Sequence, residues 1–380
     1  MSMGVGRVIG IPVYIHYTML IAFGLVAWTL ALDYMPREYP GYGREVYWTI
    51  GLMSASLLFL SVFIHELSHS YIATRNNLSI SRITLFIFGG VAQLGEEARS
   101  ANVEFKVSLA GPVTSFVIAG SLGLAYWVMR SVGLDAAFYA TFEYGALVNG
   151  LLGGFNLVPA FPLDGGRVLR AALWHRTRSL IKATEIASNF GVAFAYLFIF
   201  VGLFFLFSGF FVNGIWLMFI GWFLKNGAEA SLRQTIITDA LAGMRVEQIM
   251  TRTVDTIEAD TLLIDVVNNH FMRYKHGGYP ILEGGNLVGI LTLQDVRKVP
   301  GNDWSRLRAK EIMTPIAKIE TADPEETAAD ALMRLSKRDV GRLPVVKDGK
   351  LVGIITRSDL THVIKLRTEL QGMYQPPATS

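Results

Sequence analysis

Hydrophobic residues gather along the first 226 positions into six apolar stretches, at about 14–33, 46–73, 107–130, 137–160, 189–208 and 210–226. A helix needs roughly 20 residues to cross ~30 Å of hydrocarbon, so the pattern predicts about six transmembrane helices. The last two stretches meet at Ser208-Gly209 and read as a tight helical hairpin. Segment 80–94 is different: rich in β-branched and aromatic residues, it includes Gly89-Gly90 and is too short to span. It predicts a strand or re-entrant hairpin tucked against the helices, with 8–15 as its pairing partner.

Composition sharpens the division. Of 380 residues 52% are hydrophobic and only 17% charged, against roughly 25% charged in a soluble domain. Residues 1–230 hold 26 charged side chains and residues 231–380 hold 39, although the second part is much shorter. Twenty-two of 23 Phe and six of seven Trp fall in the first part. A disordered, fibrous or ordinary single soluble protein is excluded. The expected organisation is a membrane domain at 1–230, a linker at 231–244, a water-soluble part in two repeats at 245–304 and 305–367, and a disordered tail at 368–380 with Pro376-Pro377. No cleavable signal peptide is expected, since no small-residue cleavage site follows the first apolar run. The net charge of +3 is spread over both parts and makes no case for nucleic acid.

Charge also sets the expected orientation. The connection at 161–188 carries Arg167, Arg170, Arg176, Arg178 and Lys182, and that at 74–106 carries Arg75, Arg82, Arg99 and Lys106. The opposite connections have no excess of base: Arg37 and Arg44 face Glu38 and Glu45, and 131–136 holds only Asp135. By the positive-inside rule both termini and the soluble part lie on the cytoplasmic side of the cell membrane.

Cysteine is absent, so any metal must be held by His, Asp or Glu. Inside the second apolar stretch stands His65-Glu66-Leu67-Ser68-His69. On a helix, residues i and i+4 share a face, so both imidazoles reach one Zn²⁺ and the intervening carboxylate reaches a water activated there. A charged group at mid-membrane costs about 2.5–3.5 kcal/mol on insertion scales, which a metal and its water would offset by partnering these side chains. Catalytic zinc commonly takes a third protein ligand. Asp164 is the candidate, because it follows a helix running in the same direction as the His65–His69 helix and emerges at a similar depth. Pro159 and Pro162 break that helix and free backbone groups to line a wet cavity.

These residues resemble a known family. The two-histidine motif, followed about 95 residues later by Asn156, Pro159, Pro162 and Leu163-Asp164-Gly165-Gly166, is similar to the site-2 protease family of intramembrane zinc metalloproteases. The resemblance covers roughly 1–226 and includes Ala110-Gly111-Pro112, which opens the third span in such proteins. It implies one zinc per chain and hydrolysis of a peptide bond in or near a transmembrane helix of a partner protein. Water would reach the metal from the cytoplasmic side. Many relatives carry a PDZ domain, and no sequence sign of one is present. Glu66 would accept a proton from the water and return it to the leaving amine. Asn156 is a candidate for stabilising the oxyanion or substrate backbone, or else makes a structural bond between helices. A substrate helix must unwind before hydrolysis; segment 80–94 either holds it by strand addition or serves as a structural edge.

The second part repeats itself. Ile249-Met250-Thr251 recurs as Ile312-Met313-Thr314, and Pro280, Gly289, Thr292 and Asp295 recur as Pro344, Gly353, Thr356 and Asp359. Each copy reads as a helical pattern, a strand (279–282; 343–346), a Gly turn, a second strand (287–292; 351–356) and a helix. This resembles the cystathionine-β-synthase (CBS) domain, and the tandem resembles a Bateman module over about 245–367. The resemblance implies an α/β module binding an adenine nucleotide (ATP, ADP or AMP) and pairing into a homodimer. Thr292 and Thr356 would lie near phosphate, and Asp295 and Asp359 near ribose; the alternative is helix capping by the threonines. Lys275, Arg297, Arg338 and Arg357 are candidate phosphate partners or solvated surface. His16, His175, His270, His276 and His362 lack ligand spacing and read as structural or surface residues.

The chain thus reads as a polytopic α-helical membrane domain with a small β element, followed by a soluble tandem CBS domain. A zinc protease embedded in the lipid bilayer and tuned by nucleotide is the first functional reading. A CBS-regulated transporter or channel predicts internally repeated membrane halves, which residues 1–226 lack. A catalytically silent membrane-binding relative is the third reading; against it, the metal ligands and the base are all present.

Overall fold

The computed structural model describes residues 2–87, 89–94, 98, 100–274, 276–337 and 340–373. Arg99, Lys275, Arg338 and tail residues 374–380 lie outside the described residues. The chain divides into two compact units, residues 1–235 and 236–380.

The first unit opens with a hairpin, β1 (Ser2–Val8) and β2 (Ile11–His16). Helix α1 (Tyr17–Thr29) continues through a wide π-helical turn, Leu30–Tyr34, to Glu38. Helix α2 (Arg44–Arg75) leads to a second hairpin, β3 (Ile80–Phe86) and β4 (Gly89–Leu94). Five helices follow: α3 (Ala101–Ser131), α4 (Ala136–Asn156), α5 (Asp164–Thr177), α6 (Leu180–Phe207) and α7 (Phe211–Leu241).

Six long helices therefore stand where six apolar stretches predict them, and four pass the length and apolarity of a membrane-crossing helix: Tyr17–Glu38, Arg44–Arg75, Ala101–Ser131 and Leu180–Phe207. The other two are diluted by Glu143, Asn149 and Asn156 in α4 and by Asn213, Lys225 and Asn226 in α7. Two further differences have local causes. Helix α3 starts at Ala101, because the Ser100 hydroxyl accepts from the Val103 amide and caps it, so Pro112 lies inside the helix instead of opening it. Residues 231–241, expected in a linker, are the last turns of α7, and residues 368–373, expected in the disordered tail, extend the final helix.

Segment 80–94 is a hairpin, and it joins the N-terminal strands as expected. The order is β1-β2-β3-β4, with β2 and β3 parallel in the register Val13↔Ile83, Tyr14↔Thr84 and Ile15↔Leu85. One face of the sheet, Ile11, Ile83 and Leu85, packs on Phe63 and Leu67 of α2 and so lies against the histidine-bearing helix. Polar pairs join the buried helix faces: Ser54 with Thr141 at 3.3 Å, and the Asn149 amide donating to Ser61 Oγ at 3.1 Å. The α6–α7 hairpin turns at Gly209, whose φ of 88° suits glycine.

The second unit is built on strands β5 (Ile257–Glu258), β6 (Gly278–Glu283), β7 (Asn286–Thr292), β8 (Thr314–Pro315), β9 (Arg342–Lys347) and β10 (Lys350–Thr356). The order is β5-β6-β7-β10-β9, with β8 added to β7, so both repeats share one sheet. Both hairpins turn through two residues of positive φ, Gly284-Gly285 and Asp348-Gly349, the geometry that matches strand twist. The repeats exchange their Met-Thr segments. Thr251 bridges Ile354 of the second repeat, while Thr314 pairs with Ile290 of the first. A Cβ on Gly353 would lie 2.6 Å from Met250 Sδ, and one on Gly289 would lie 2.7 Å from Met313 Sδ. The recurring glycines are therefore docking surfaces for the recurring methionines. Gly353→Val should lower the stability of this unit by about 1–3 kcal/mol, the usual range for overpacking, read as a drop in its unfolding midpoint.

Candidate metal centre

Three donors from two distant stretches meet at one point. His65 Nε2 and His69 Nε2 are 3.2 Å apart, and each is 3.2 Å from Asp164 Oδ2. Among the described residues this is the single cluster of three metal-capable side chains. The imidazoles are one helical turn apart on α2, with ring centroids 4.9 Å apart. Asp164 is the first residue of α5, where a carboxylate also suits the helix dipole.

The carboxylate arrives by close backbone packing. Helix α4 ends at Asn156, before Pro159 and Pro162. Gly165 and Gly166 then lie on the loop they follow: a Cβ on Gly165 would overlap the Leu157 and Val158 carbonyls, and one on Gly166 would come within 2.5 Å of the Phe161 nitrogen. These glycines serve as the contact surface of a helix.

Helix α3 supplies the outer partners. His69 Nδ1 donates to the Val107 carbonyl at 2.6 Å, and a carbonyl only accepts, so Nδ1 carries the proton and Nε2 presents its lone pair. His65 Nδ1 lies 2.9 Å from Ser115 Oγ, a hydroxyl that can accept its proton and so orients that ring. Between them stands Gly111, whose added Cβ would overlap His69 Nε2 and come within 2.5 Å of His65 Nε2. Gly111 is thus an opening in α3 onto the donor atoms. Ser115 and the Val107 carbonyl escape a sequence reading, because a lone serine and a backbone oxygen carry no motif.

The cluster fits zinc by its own dimensions. Tetrahedral bonds of about 2.0–2.1 Å put neighbouring ligand atoms about 3.3–3.4 Å apart, close to the observed spacing. Three lone-pair donors at this separation repel unless a cation or protons lie between them, and His65 is 3% exposed. Glu66 lies next to His65, against β4: a Cβ on Gly90 would overlap Glu66 Cγ and sit 2.8 Å from its carboxyl carbon. Asn156 is half-buried, and its side-chain amide donates to the Leu152 carbonyl on its own helix at 3.0 Å. No hydrogen bond among the described residues links it to the three donors.

In the second unit the threonine and aspartate of each repeat form a reciprocal capping box. Thr292 Oγ1 donates to Asp295 Oδ2 at 2.6 Å, and the Asp295 amide donates back to Thr292 Oγ1. Thr356 and Asp359 repeat it at 2.8 Å. Burial acts to raise the Asp295 carboxyl, but bonds from Thr292 and Lys298 outweigh it and hold the group below the usual range. Arg297 is exposed, and Arg357 donates to the Leu335 carbonyl at 2.8 Å. Arg342, not singled out from the sequence, crosses between repeats to donate to the Gly278 carbonyl at 2.6 Å. The remaining histidines play local parts: His16 caps α1 through Thr18, and His276 lies 3.5 Å from Asp255.

Fold and site together define a helical membrane protein with a two-histidine, one-carboxylate centre and an appended α/β unit of two repeats. The model described as peptidase family M50 matches residues 53–138 and 123–199, and the CBS domain model matches 246–302 and 309–366. The chain is 33% identical over 361 residues to "Putative zinc metalloprotease Rip3" of Mycobacterium tuberculosis, covering 94% of this chain and 92% of that one. It is 29% identical to "Zinc metalloprotease MJ0392" of Methanocaldococcus jannaschii, covering 96% and 97%. Among solved structures, the site-2 protease of Methanocaldococcus jannaschii is 32% identical, covering 61% of this chain and 96% of that one at a TM-score of 0.42. The chain belongs to peptidase family M50, the site-2 proteases, and carries tandem CBS domains. It is a zinc metalloprotease and a multi-pass membrane protein.

Gly111→Ala places a methyl group among the donor atoms while leaving the helix-forming tendency of α3 intact or improved. The expected result is a folded protein with well under one zinc per chain, measured by metal analysis of the purified variant.

Proposed function

We propose that this protein hydrolyses a peptide bond in or near a transmembrane helix of a membrane-protein substrate, at a zinc ion held by His65, His69 and Asp164. The observation that carries the reading is the triangle of donors 3.2 Å on a side, buried where two spans and a loop meet. Bound zinc would supply Lewis acidity, bringing a water to a pKa of about 7 and polarising the scissile carbonyl. Glu66 is the general base: its carboxylate oxygen takes the proton from the attacking water and delivers it to the departing amide nitrogen. Asn156 is assigned to the substrate carbonyl through the second N–H of its side-chain amide, the first being held by the Leu152 carbonyl.

Strand β4 is the place for the unwound substrate. It is an edge of the four-stranded sheet and passes over Glu66 at Gly90, so a segment added along its free edge would run past the base. The excess of Arg and Lys in the 74–106 and 161–188 connections supports a cytoplasmic placement of both termini and the CBS domains. Those domains are assigned to adenine-nucleotide sensing through Thr292, Asp295, Thr356 and Asp359, and to pairing of two chains. The capping boxes favour a second, structural reading of the same four residues.

Glu66→Gln keeps the volume and the three donors but removes the base. Zinc content should stay at one per chain while cleavage of a reporter with a single transmembrane helix falls by about 10²–10⁴-fold. Full activity in that variant would remove Glu66 from the mechanism. Calorimetry of the whole protein with ATP, ADP and AMP separates the two readings of the CBS residues. Binding weakened by Asp295→Ala and Asp359→Ala supports sensing, and no heat with any nucleotide leaves capping as their role.

A further inference from the structure

Two buried charges have no part in the chemistry above: Glu104 and Arg170, at 4% and 8% exposure. Both stand on elements that build the metal centre. Helix α3 presents Glu104, Val107, Gly111 and Ser115 at i, i+3, i+7 and i+11, a single face. That face holds His69 through the Val107 carbonyl and His65 through Ser115, with Gly111 against both rings. Helix α5 opens on Asp164 and carries Arg170 six residues later.

The guanidinium has a partner on each neighbouring element. Its Nε donates to Glu104 Oε1 at 2.6 Å, and a second nitrogen completes the ion pair. Nη1 reaches Thr235 Oγ1 on α7 at 3.4 Å. The guanidinium carbon lies 5.3 Å from the ring centroid of Phe161, a 1% exposed residue of the loop leading to Asp164. One cation therefore ties the Asp164 helix to α3, to α7 and to its own preceding loop.

The surroundings of the pair are not packed solid. A cavity of about 160 Å³ borders Glu104, Ser108, Arg167, Arg170 and Thr235. Glu104 Oε2 and Ser108 Oγ are buried there without a hydrogen-bond partner. With a void on one side, the ion pair is a contact that bridges α3 and α5 at this level.

We propose that the Glu104–Arg170 pair is the positioning device that keeps Asp164 at ligating distance from His65 and His69. The inference rests on reading those three residues as zinc ligands. Glu104 and Arg170 touch neither metal nor substrate; they act through the placement of α5.

The test uses the full chain in detergent, with zinc affinity from chelator competition and the visible spectrum of the cobalt-substituted protein as readouts. Arg170→Met keeps the bulk over Phe161 and removes the charge, and Glu104→Gln with Arg170→Met leaves no lone buried carboxylate. Both should bind zinc about 10–100-fold more weakly, the usual loss when an outer partner of a metal site is removed. Their cobalt spectra should shift toward that of Asp164→Ala. Glu104→Gln alone, with volume and one acceptor kept, covers the case in which the Arg170 variants fail to fold, and there the affinity should drop at least about threefold. Affinity within about threefold of wild type and an unchanged cobalt spectrum in any folded variant would overturn the proposal and leave the pair a scaffold contact. Asp164→Ala that keeps its zinc would instead overturn the ligand assignment, a separate failure.

Discussion

Everything in the first unit answers to one constraint: a carboxylate and two imidazoles must be held with their lone pairs facing one another inside a helical bundle. At 3.2 Å such groups repel, and the low dielectric of the surroundings strengthens the repulsion. A cation converts the same geometry into attraction, but only if the protein brings the donors together with their hydrogens pointing elsewhere. The Val107 carbonyl does this for His69, and Ser115 Oγ stands 2.9 Å from His65 Nδ1, where it can accept that ring's proton. Close approach of backbones does the rest, at Gly111 for α3 against the rings and at Gly165 and Gly166 for α5 against its loop. A Cβ at any of these three positions would come within 2.5 Å of a neighbouring atom, so the elements would have to move apart.

The same constraint explains where polarity is tolerated in an apolar unit. Buried polar groups there are mostly matched across helices: Ser54 with Thr141, Asn149 with Ser61, Arg170 with Glu104, and Ser188 with the Ala228 carbonyl. Among the described residues the unmatched side-chain atoms of this unit are Ser70 Oγ, Asn149 Oδ1, Glu104 Oε2 and Ser108 Oγ, the last two beside the cavity. That distribution fits a bundle which stays dry against lipid and polar toward its catalytic centre. The β-sheet fits it too. Its apolar face packs on Phe63 and Leu67 of the histidine helix, and β4 brings Gly90 against Glu66, so backbone able to pair with another strand lies beside that carboxylate.

What could be read from the sequence follows from the range of each signal. His65 and His69 were legible because four residues of helix put them on one face, and Asp164 because matched helix directions put it at a similar depth. Segment 80–94 was legible because β-branched residues crowd a run too short to span, and its pairing with the N-terminal segment followed. Strand β1 was not, since Gly4 and Gly6 dilute its pattern. Helix α5 was hidden by its glycines and arginines, which mimic a charged loop. Arg170 and Glu104 lie 66 residues apart with nothing local to mark them as partners: in the sequence Arg170 only adds to the charge of a connection, and Glu104 belongs to no motif. The end of α7 was misplaced because helix continues after apolarity stops. Short-range patterns announce themselves; pairings made by the fold do not.

The duplicated unit shows how a repeated motif can be structural and still leave room for a ligand. In each capping box the threonine hydroxyl donates to Oδ2 of the aspartate and accepts from its amide, so those atoms are committed to starting the helix. A ribose would have to use the other carboxylate oxygen. In the first repeat that oxygen, Asp295 Oδ1, already accepts from Lys298 at 3.0 Å. In the second repeat the residue 64 positions later is His362, and Asp359 Oδ1 has no hydrogen bond from a described residue. Two copies alike in backbone are therefore unlike in readiness: a diol approaching the first must displace an ammonium, while the second offers its lone pairs directly.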